Sequence, residues 1–313
     1  MKAFLTGGAG FIGSTLADRL LADGWSVDVA DDLSSGSLAN LAGARAVGDR
    51  RFSFHRIDVR NAAITDLIES RKPDVVFHLA AQADVRVSVA RPQLDAEVNL
   101  IGSLNVFQGA LAAKATKVVF ASSGGTIYGT PQEIPTPETH PQHPESPYGV
   151  AKKAAGDYLF YYRQIHGLDY AATAFSNVYG PRQDPHGEAG VVAIFAGLFL
   201  ERRRPTIFGT GDQTRDFVYV DDVVDALARA AERGEGIINV GTGDETSVND
   251  LYASMSRATG FNDPPSYAPA RVGELDRSAL AIDRAASELG WKPFTSLDEG
   301  VGRTLDWFRD RRG

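Results

Sequence analysis

Apolar residues fall along this chain in two alternating rhythms. Short, largely apolar runs occupy residues 2–6, 26–31, 74–79, 117–122 and 169–175, each the length of a buried strand, and residues 51–58 read as a further, more polar strand. Between them the apolar positions recur at helical spacing, as in Phe11, Ile12, Leu16, Leu20 and Leu21, and again over 64–70 and 99–113. A longer helix follows Tyr148 through Tyr158, Leu159, Tyr161, Tyr162 and Ile165 to Gly167. Strands that read as apolar throughout are buried on both faces, and their alternation with helices predicts a parallel sheet covered on each side.

Beyond residue 177 the alternation loosens. Helices are expected at 191–200, 221–232, 248–259, 285–289 and 297–309, with short strands at 206–208, 217–220 and 237–240. The basic triplet Arg202-Arg203-Arg204 closes an apolar helix and reads as a solvated, dipole-favoured helix end. The expected organisation is a large domain from 1–177 and 217–246, and a smaller C-terminal substrate-binding lobe from 178–216 and 247–313.

Composition narrows the class. The chain has 313 residues, 43% hydrophobic and 23% charged, as in a soluble globular enzyme. A formal net charge of −8 argues against nucleic acid as a main partner. Cysteine is absent, which excludes disulfides, thiolate metal sites and Cys nucleophiles. No apolar run approaches the ~18 residues of a membrane span. The first apolar run leads straight into a glycine turn, unlike a signal peptide, so the cytoplasm is the expected compartment.

That turn carries the first chemistry. Strand 2–6 runs into Gly7-x-x-Gly10-x-x-Gly13, then a helix with Gly24 at its end, then a strand closing on Asp31. This is a βαβ unit for a dinucleotide, with backbone N–H groups facing the pyrophosphate at a helix N-terminus. Asp31 suits the adenosine ribose hydroxyls, and its charge would repel a 2′-phosphate, so NAD is expected rather than NADP. The fold class is therefore α/β, a doubly wound parallel sheet of the Rossmann kind. Gly10, Asp31, Asp58, Ala80 and Ser122 all fall at strand C-terminal ends, where such sheets bind ligands. His78 reads as a packing residue, since no second His stands at metal spacing.

The second chemistry is Tyr148 and Lys152, four apart on one helix face. An ammonium and an oxidised nicotinamide beside the phenol are expected to lower its pKa from roughly 10. Tyr148 could then take a proton from a substrate hydroxyl while hydride leaves the same carbon. A hydroxyl from Ser123 or Thr126, in the turn Ser122-Ser123-Gly124-Gly125-Thr126, could assist. Ser122 itself reads as a partner of turn backbone groups. The proline-rich stretch 131–147 reads as a stiff surface loop, with His140 and His143 solvated.

Together, Thr6-Gly7-Gly8-Ala9-Gly10-Phe11-Ile12-Gly13, His78-Leu79-Ala80-Ala81, Ser122-Ser123, Tyr148-x-x-x-Lys152 and Asn177-Val178-Tyr179-Gly180-Pro181-Arg182 resemble the extended short-chain dehydrogenase/reductase family. Within it the chain is similar to the UDP-glucose 4-epimerases over nearly its whole length. The resemblance implies NAD held by Gly7, Gly10, Phe11, Ile12 and Gly13, with Asp31, Asp32, Leu33, Ser34, Ser35 and Gly36 around the adenosine ribose. Asp58 and Val59 would meet the adenine. Leu79, Ala80, Ala81, Asn99, Ser122 and Phe175 would line the nicotinamide side, with Tyr148 as acid/base and Lys152 on the ribose. Ser123, Thr126, Tyr148, Asn177, Arg215, Arg271, Glu274 and Ser278 would meet a UDP-sugar. Arginines suit its diphosphate and Glu274 its ribose. Gly124 stands where many relatives carry the assisting Ser or Thr, so the helper stays open between Ser123 and Thr126.

The implied reaction is 4-epimerisation through a transient 4-keto sugar, in a homodimer. Dehydratases and decarboxylases of this fold typically carry an acid where Gly124-Gly125 stands here, which argues against both. Epimerisation of another nucleotide sugar, a UDP-N-acetylhexosamine or UDP-glucuronate, is the alternative. A binding protein without catalysis is disfavoured by the intact Tyr148 and Lys152. Ser278 falls where relatives place a bulky Tyr or a small residue, and a small one admits N-acetylated sugars.

Overall fold

The computed structural model describes residues 1–47, 49–185, 190–271 and 275–311. Seven strands form one sheet: β1 (Lys2–Thr6), β2 (Ser26–Asp31), β3 (Phe52–Arg56), β4 (Val75–His78), β5 (Lys117–Ser123), β6 (Asp169–Phe175) and β7 (Gly236–Val240). Their order is β3-β2-β1-β4-β5-β6-β7, and every pairing is parallel. The order reverses between β1 and β4, and the crevice beyond their C-terminal ends is where such a sheet takes its ligand.

Alternate residues of each strand feed opposite cores. Ala3 and Leu5 of β1 join Phe77 and Val119 on one face, while Phe4 joins Val76, Val118 and Phe120 on the other. The first face is covered by α1 (Phe11–Ala22), the second by α2 (Ala63–Arg71), α3 (Gly102–Ala112) and α4 (Pro147–His166). The central strands β1, β4 and β5 lie between two apolar layers, which is why their sequences show no polar alternation, whereas the edge strand β3 is only half-buried and alternates as Phe52-Ser53-Phe54-His55-Arg56.

The remaining described chain carries α5 (Val191–Leu200), α6 (Val220–Ala230), α7 (Val248–Thr259) and α8 (Leu297–Asp310). Leu16 and Leu20 of α1 share a core with Val223 and Leu227 of α6. Phe199 of α5 lies 5.1 Å from the Tyr252 ring of α7. Short pairs join Asn177–Tyr179 to Phe217–Tyr219 and Thr214–Arg215 to Thr246–Ser247. Among the described residues no helix is long and apolar enough to cross a membrane.

Three local expectations change. The helix at 99–113 opens with a wider π turn, Glu97–Ile101, before α3. Two short helices, Val85–Ala90 and Pro92–Ala96, fill the stretch before it, the first capped by the Asp84 carboxylate accepting from Val87 N–H at 2.9 Å. His140 is buried rather than solvated: its Nε2 accepts from Gln132 N–H at 3.1 Å and its Nδ1 lies 2.7 Å from the Pro141 carbonyl. The loop folds back on itself through this ring. His143 is exposed, as expected.

Candidate active site

The glycine turn is shaped by three different constraints. Gly7 has φ of +68°, and a Cβ there would stand 2.6 Å from Ala80 N, so the turn lies directly on the loop leaving β4. At Gly13 a Cβ would meet the Gly7 carbonyl oxygen at 2.2 Å. Gly10 differs: the nearest atom to its Cβ would be the Gly7 oxygen at 3.2 Å. It starts α1 with no side-chain cap. A turn glycine, a packing glycine and a less crowded glycine at a helix N-terminus are the set a bound dinucleotide pyrophosphate requires, so these residues fit NAD.

Asp31 is buried at the end of β2, and its carboxylate accepts from Ala9 N–H at 2.9 Å and Leu33 N–H at 2.8 Å. Burial pushes its pKa up, and those two donors work against the rise. Asp32 accepts from the Ser34 backbone at 2.8 Å and hydroxyl at 2.6 Å, and Gly36 lies close over Ala9 and Asp31. Ser35 is exposed. Asp58 is paired with Arg60 at 2.6 Å, which lowers its pKa, while Val59 is buried against Gly102.

Beneath the turn runs a directed hydrogen-bond chain. The Ala80 N–H donates to Thr6 Oγ1 at 3.3 Å, and Thr6 Oγ1 lies 2.6 Å from His78 Nδ1. His78 Nε2 lies 2.8 Å from Ser103 Oγ, which itself donates to the Asn99 carbonyl at 2.6 Å. Ser103 therefore accepts from Nε2–H, and Nδ1 accepts from Thr6. Burial holds the His78 pKa down to about 3, so the ring is neutral. His78 is a structural hub, as its sequence context predicts.

Asn99 does not turn its polar atoms to the crevice. Its Nδ2 donates to the Gln82 carbonyl at 2.8 Å and Asp95 Oδ1 at 2.8 Å, and its Oδ1 accepts from Gln82 N–H at 2.9 Å. It braces the loop Leu79-Ala80-Ala81-Gln82 against the Pro92–Ala96 helix.

Ser146 and Pro147 start α4: the Ser146 hydroxyl accepts from Gly149 N–H at 3.1 Å and Pro147 takes the first helical position. Tyr148 thereby sits in the first turn. A Cβ on Gly149 would stand 2.7 Å from the Thr126 carbonyl oxygen, so only glycine lets the helix approach the turn after β5 this closely. Across that contact the Ser123 side chain faces the Tyr148 phenol, closely enough to lower its pKa. Thr126 lies in the same turn, but its hydroxyl donates back to the Ser123 carbonyl at 3.4 Å. Ser122 is buried in β5 and pairs in register with Ala174, and Ser123 pairs with Phe175.

Lys152 is buried, one helical turn on. Its Nζ donates to the Ala121 carbonyl at 2.8 Å and lies 5.7 Å from the Tyr148 ring centroid and 4.7 Å from that of Phe120. Burial lowers its pKa to about 8, with Asp95 opposing. The expected lowering of the Tyr148 pKa calls on Lys152 and an oxidised nicotinamide together, and Lys152 is not among the groups that shift it in the protein without cofactor. Burial raises it, Asp95 raises it further, and only Ser123 pulls it down. The ammonium is spent on Ala121 rather than on the phenol oxygen.

Asp95 is the site residue that sequence reasoning missed. It is 1% exposed; Oδ1 accepts from Gln82 and Asn99, while Oδ2 has no hydrogen-bond partner among the described residues. The available signal was its position four residues before Asn99, just inside the Pro92 helix start.

In the remaining chain, Asn177 is exposed and its N–H donates to the Asp216 carbonyl at 2.9 Å, which places it beside Arg215. Arg215 donates to the Thr214 carbonyl at 2.7 Å. Arg271 stacks on Phe208 at 4.0 Å. Ser278 is half-buried, and Glu274 lies outside the described residues. No group of three or more metal-ligating side chains occurs among the described residues.

A glycine cradle at the strand crossover, with a Tyr and Lys on a helix against a Ser turn, defines a dinucleotide-dependent enzyme site. The chain belongs to the NAD dependent epimerase/dehydratase family, which residues 3–241 match. It is 49% identical to a UDP-glucose 4-epimerase of Mycolicibacterium smegmatis, over 99% of both chains. Its structure is similar to that of UDP-glucose 4-epimerase from Thermotoga maritima with UDP-glucose, with TM-score 0.95, 43% identity and all of both chains covered. It is also similar to the Thermus thermophilus UDP-glucose 4-epimerase complex with NAD, with TM-score 0.91, 42% identity and 99% of both chains covered.

Proposed function

We propose that the protein is an NAD-dependent isomerase that interconverts UDP-glucose and UDP-galactose at C4. The observation that carries this reading is buried Lys152 with its Nζ 5.7 Å from the Tyr148 ring, at the same sheet end as the glycine cradle, with Ser123 facing the phenol and set to hydrogen-bond it. When bound, NAD supplies reversible hydride acceptance from the sugar carbinol carbon. Gly7, Gly10, Phe11, Ile12 and Gly13 would hold its pyrophosphate and Asp31 to Gly36 its adenosine ribose. Tyr148 takes the sugar 4-hydroxyl proton and later returns it. Ser123 stabilises the phenolate through its hydrogen bond, and Lys152 contributes positive charge below pH 8. Ser123 is favoured over Thr126 as the assisting hydroxyl because the Thr126 hydroxyl is turned to backbone.

Arg215 and Arg271 grip the nucleotide diphosphate with help from Asn177, and Glu274 takes the uridine ribose, so the keto sugar can turn over without leaving. The lobe comprising 178–216 and 247–313 does this work, against the NAD-binding portion formed by 1–177 and 217–246. Grip on unreacting parts of a ligand lowers the barrier through positioning. Exposed Ile101, Val150, Tyr158, Tyr161 and Ile165 form an apolar face along and beside α4, which supports a homodimer. A cytoplasmic location belongs to the same reading.

Incubation with UDP-galactose, with UDP-glucose followed by nuclear magnetic resonance, tests the activity. Turnover of UDP-N-acetylglucosamine or UDP-glucuronate with none of UDP-galactose would replace the sugar assignment. Absence of turnover on all three would defeat the reading.

A further inference from the structure

The turn that carries Ser123 is held from two sides. On one side α4 approaches through Gly149. On the other, a Cβ added at Gly124 would meet Leu280 Cδ1 at 2.4 Å, Cδ2 at 2.9 Å and Cγ at 3.2 Å. All three are side-chain atoms of one residue. Leu280 is 1% exposed and packs with Ile127, Tyr128 and Ala174.

The Leu280 backbone is fixed with equal care. Thr136 N–H donates to the Ala279 carbonyl at 2.8 Å and Ala281 N–H to the Thr136 carbonyl at 3.0 Å. Asn239 Nδ2 donates to the Thr136 carbonyl at 2.9 Å and the Ala281 carbonyl at 3.2 Å. Leu280 N–H donates to Asp216 Oδ2 at 3.3 Å, and Asp216 is a fully buried carboxylate that also accepts from the Thr242 N–H and hydroxyl at 2.7 Å. Asp216 adjoins Arg215, and Leu280 lies two residues from Ser278. The residues read as gripping the substrate are thus joined by short, buried contacts to the turn bearing Ser123.

We propose that Leu280 is a positioning residue for the reaction: its side chain, seated on Gly124, sets the place of Ser123 against Tyr148 and ties the turn to the substrate-gripping segment. The inference rests on the epimerase reading for its activity readout. It explains why position 124 is glycine, with the assisting hydroxyl one residue earlier. Binding energy from a remote part of a ligand acts on the reacting centre only through a rigid connection, and this contact supplies one.

The test is a double-mutant cycle of Leu280→Ala and Gly124→Ala. Leu280→Ala removes all three atoms that a methyl at 124 would meet. Each single variant is expected to lower kcat about tenfold with KM within about twofold of wild type, the pattern of lost positioning rather than lost binding. The double variant is expected to recover kcat at least threefold above either single. Independent, multiplying effects on kcat would overturn the proposal, as would losses confined to the melting temperature. A crystal structure of Leu280→Ala separates this from the choice of substrate. A displaced Ser123 supports the inference even if UDP-galactose is not turned over, and an unmoved Ser123 defeats it even if UDP-galactose is.

Discussion

Gly10 and Gly13 stand three residues apart in one turn, yet their replacement by alanine should fail in opposite ways. At Gly13 the added methyl lies 2.2 Å from the Gly7 oxygen and 2.8 Å from Gly8 Cα, both backbone atoms that no rotamer change can move. Overpacking of this kind costs about 1–3 kcal/mol. Alanine in place of glycine inside α1 returns about 0.8–1 kcal/mol. The 2.2 Å backbone clash puts the overpacking cost at the upper end of its range, so Gly13→Ala should lose about 2 kcal/mol net and melt a few degrees lower. At Gly10 the methyl would meet only the Gly7 oxygen, at 3.2 Å, a tight contact that a shift of a few tenths of an ångström relieves, and the backbone, at φ −76° and ψ −177°, is open to any residue. Its cost as a helix cap, roughly 0.5–1 kcal/mol, is offset by a similar gain from the stiffer unfolded chain. Gly10→Ala should melt with wild type in the absence of cofactor. Its methyl occupies the space a pyrophosphate needs, so NAD affinity should fall at least about tenfold, or ~1.4 kcal/mol. Melting curves and calorimetric titration of cofactor-stripped protein measure both quantities. Wild-type NAD affinity in Gly10→Ala, or unchanged melting in Gly13→Ala, would refute the division of roles.

Tyr148→Phe should lower kcat by about 10²–10⁴ while NAD affinity stays within a few-fold, since the ring remains and only the proton carrier is lost. Retained turnover would move the acid/base role elsewhere. Lys152, with its pKa lowered to about 8, is charged below that pH and neutral above it, so kcat should fall as pH rises through 8. The same depression means the folded protein binds fewer protons than the unfolded chain between pH 8 and 10.5. Stability from this group is complete above that window and lost as pH falls through it. Because Asp95 raises the Lys152 pKa, Asp95→Asn should move the alkaline fall in kcat to lower pH, and an unmoved profile would exclude that coupling. Ser278→Tyr should abolish turnover of UDP-N-acetylglucosamine while sparing UDP-galactose; equal effects on both sugars would show that this position does not gauge their size.

The sheet was legible because its central strands are buried on two faces and so read as apolar runs, from Phe4 in β1 to Phe120 in β5. The glycine turn and α4 were legible because their signals are local: glycine spacing in one case, the helical recurrence from Tyr158 to Ile165 and the closing Gly167 in the other. What escaped depends on partners distant in sequence. Asp95 reads as an ordinary exposed acid until Gln82 and Asn99 close over it. The rise in the Tyr148 pKa is invisible in the Tyr-x-x-x-Lys spacing, which gives proximity but neither burial nor the Ala121 carbonyl that takes the ammonium. Gly124 looked like a missing hydroxyl from the sequence. The fold shows what fills the place, a leucine more than 150 residues away.

The double attachment of Asp31 bears on any attempt to re-engineer coenzyme preference. Admitting a phosphorylated ribose invites removal of that carboxylate, but both of its oxygens already tether the backbone at Ala9 and Leu33. Swapping it for a neutral or cationic side chain would unfasten the loop that frames the coenzyme along with the charge that discriminates. A productive redesign would leave Asp31 in place and recruit a cation at exposed Ser35, sparing Ser34, whose hydroxyl is bonded to Asp32.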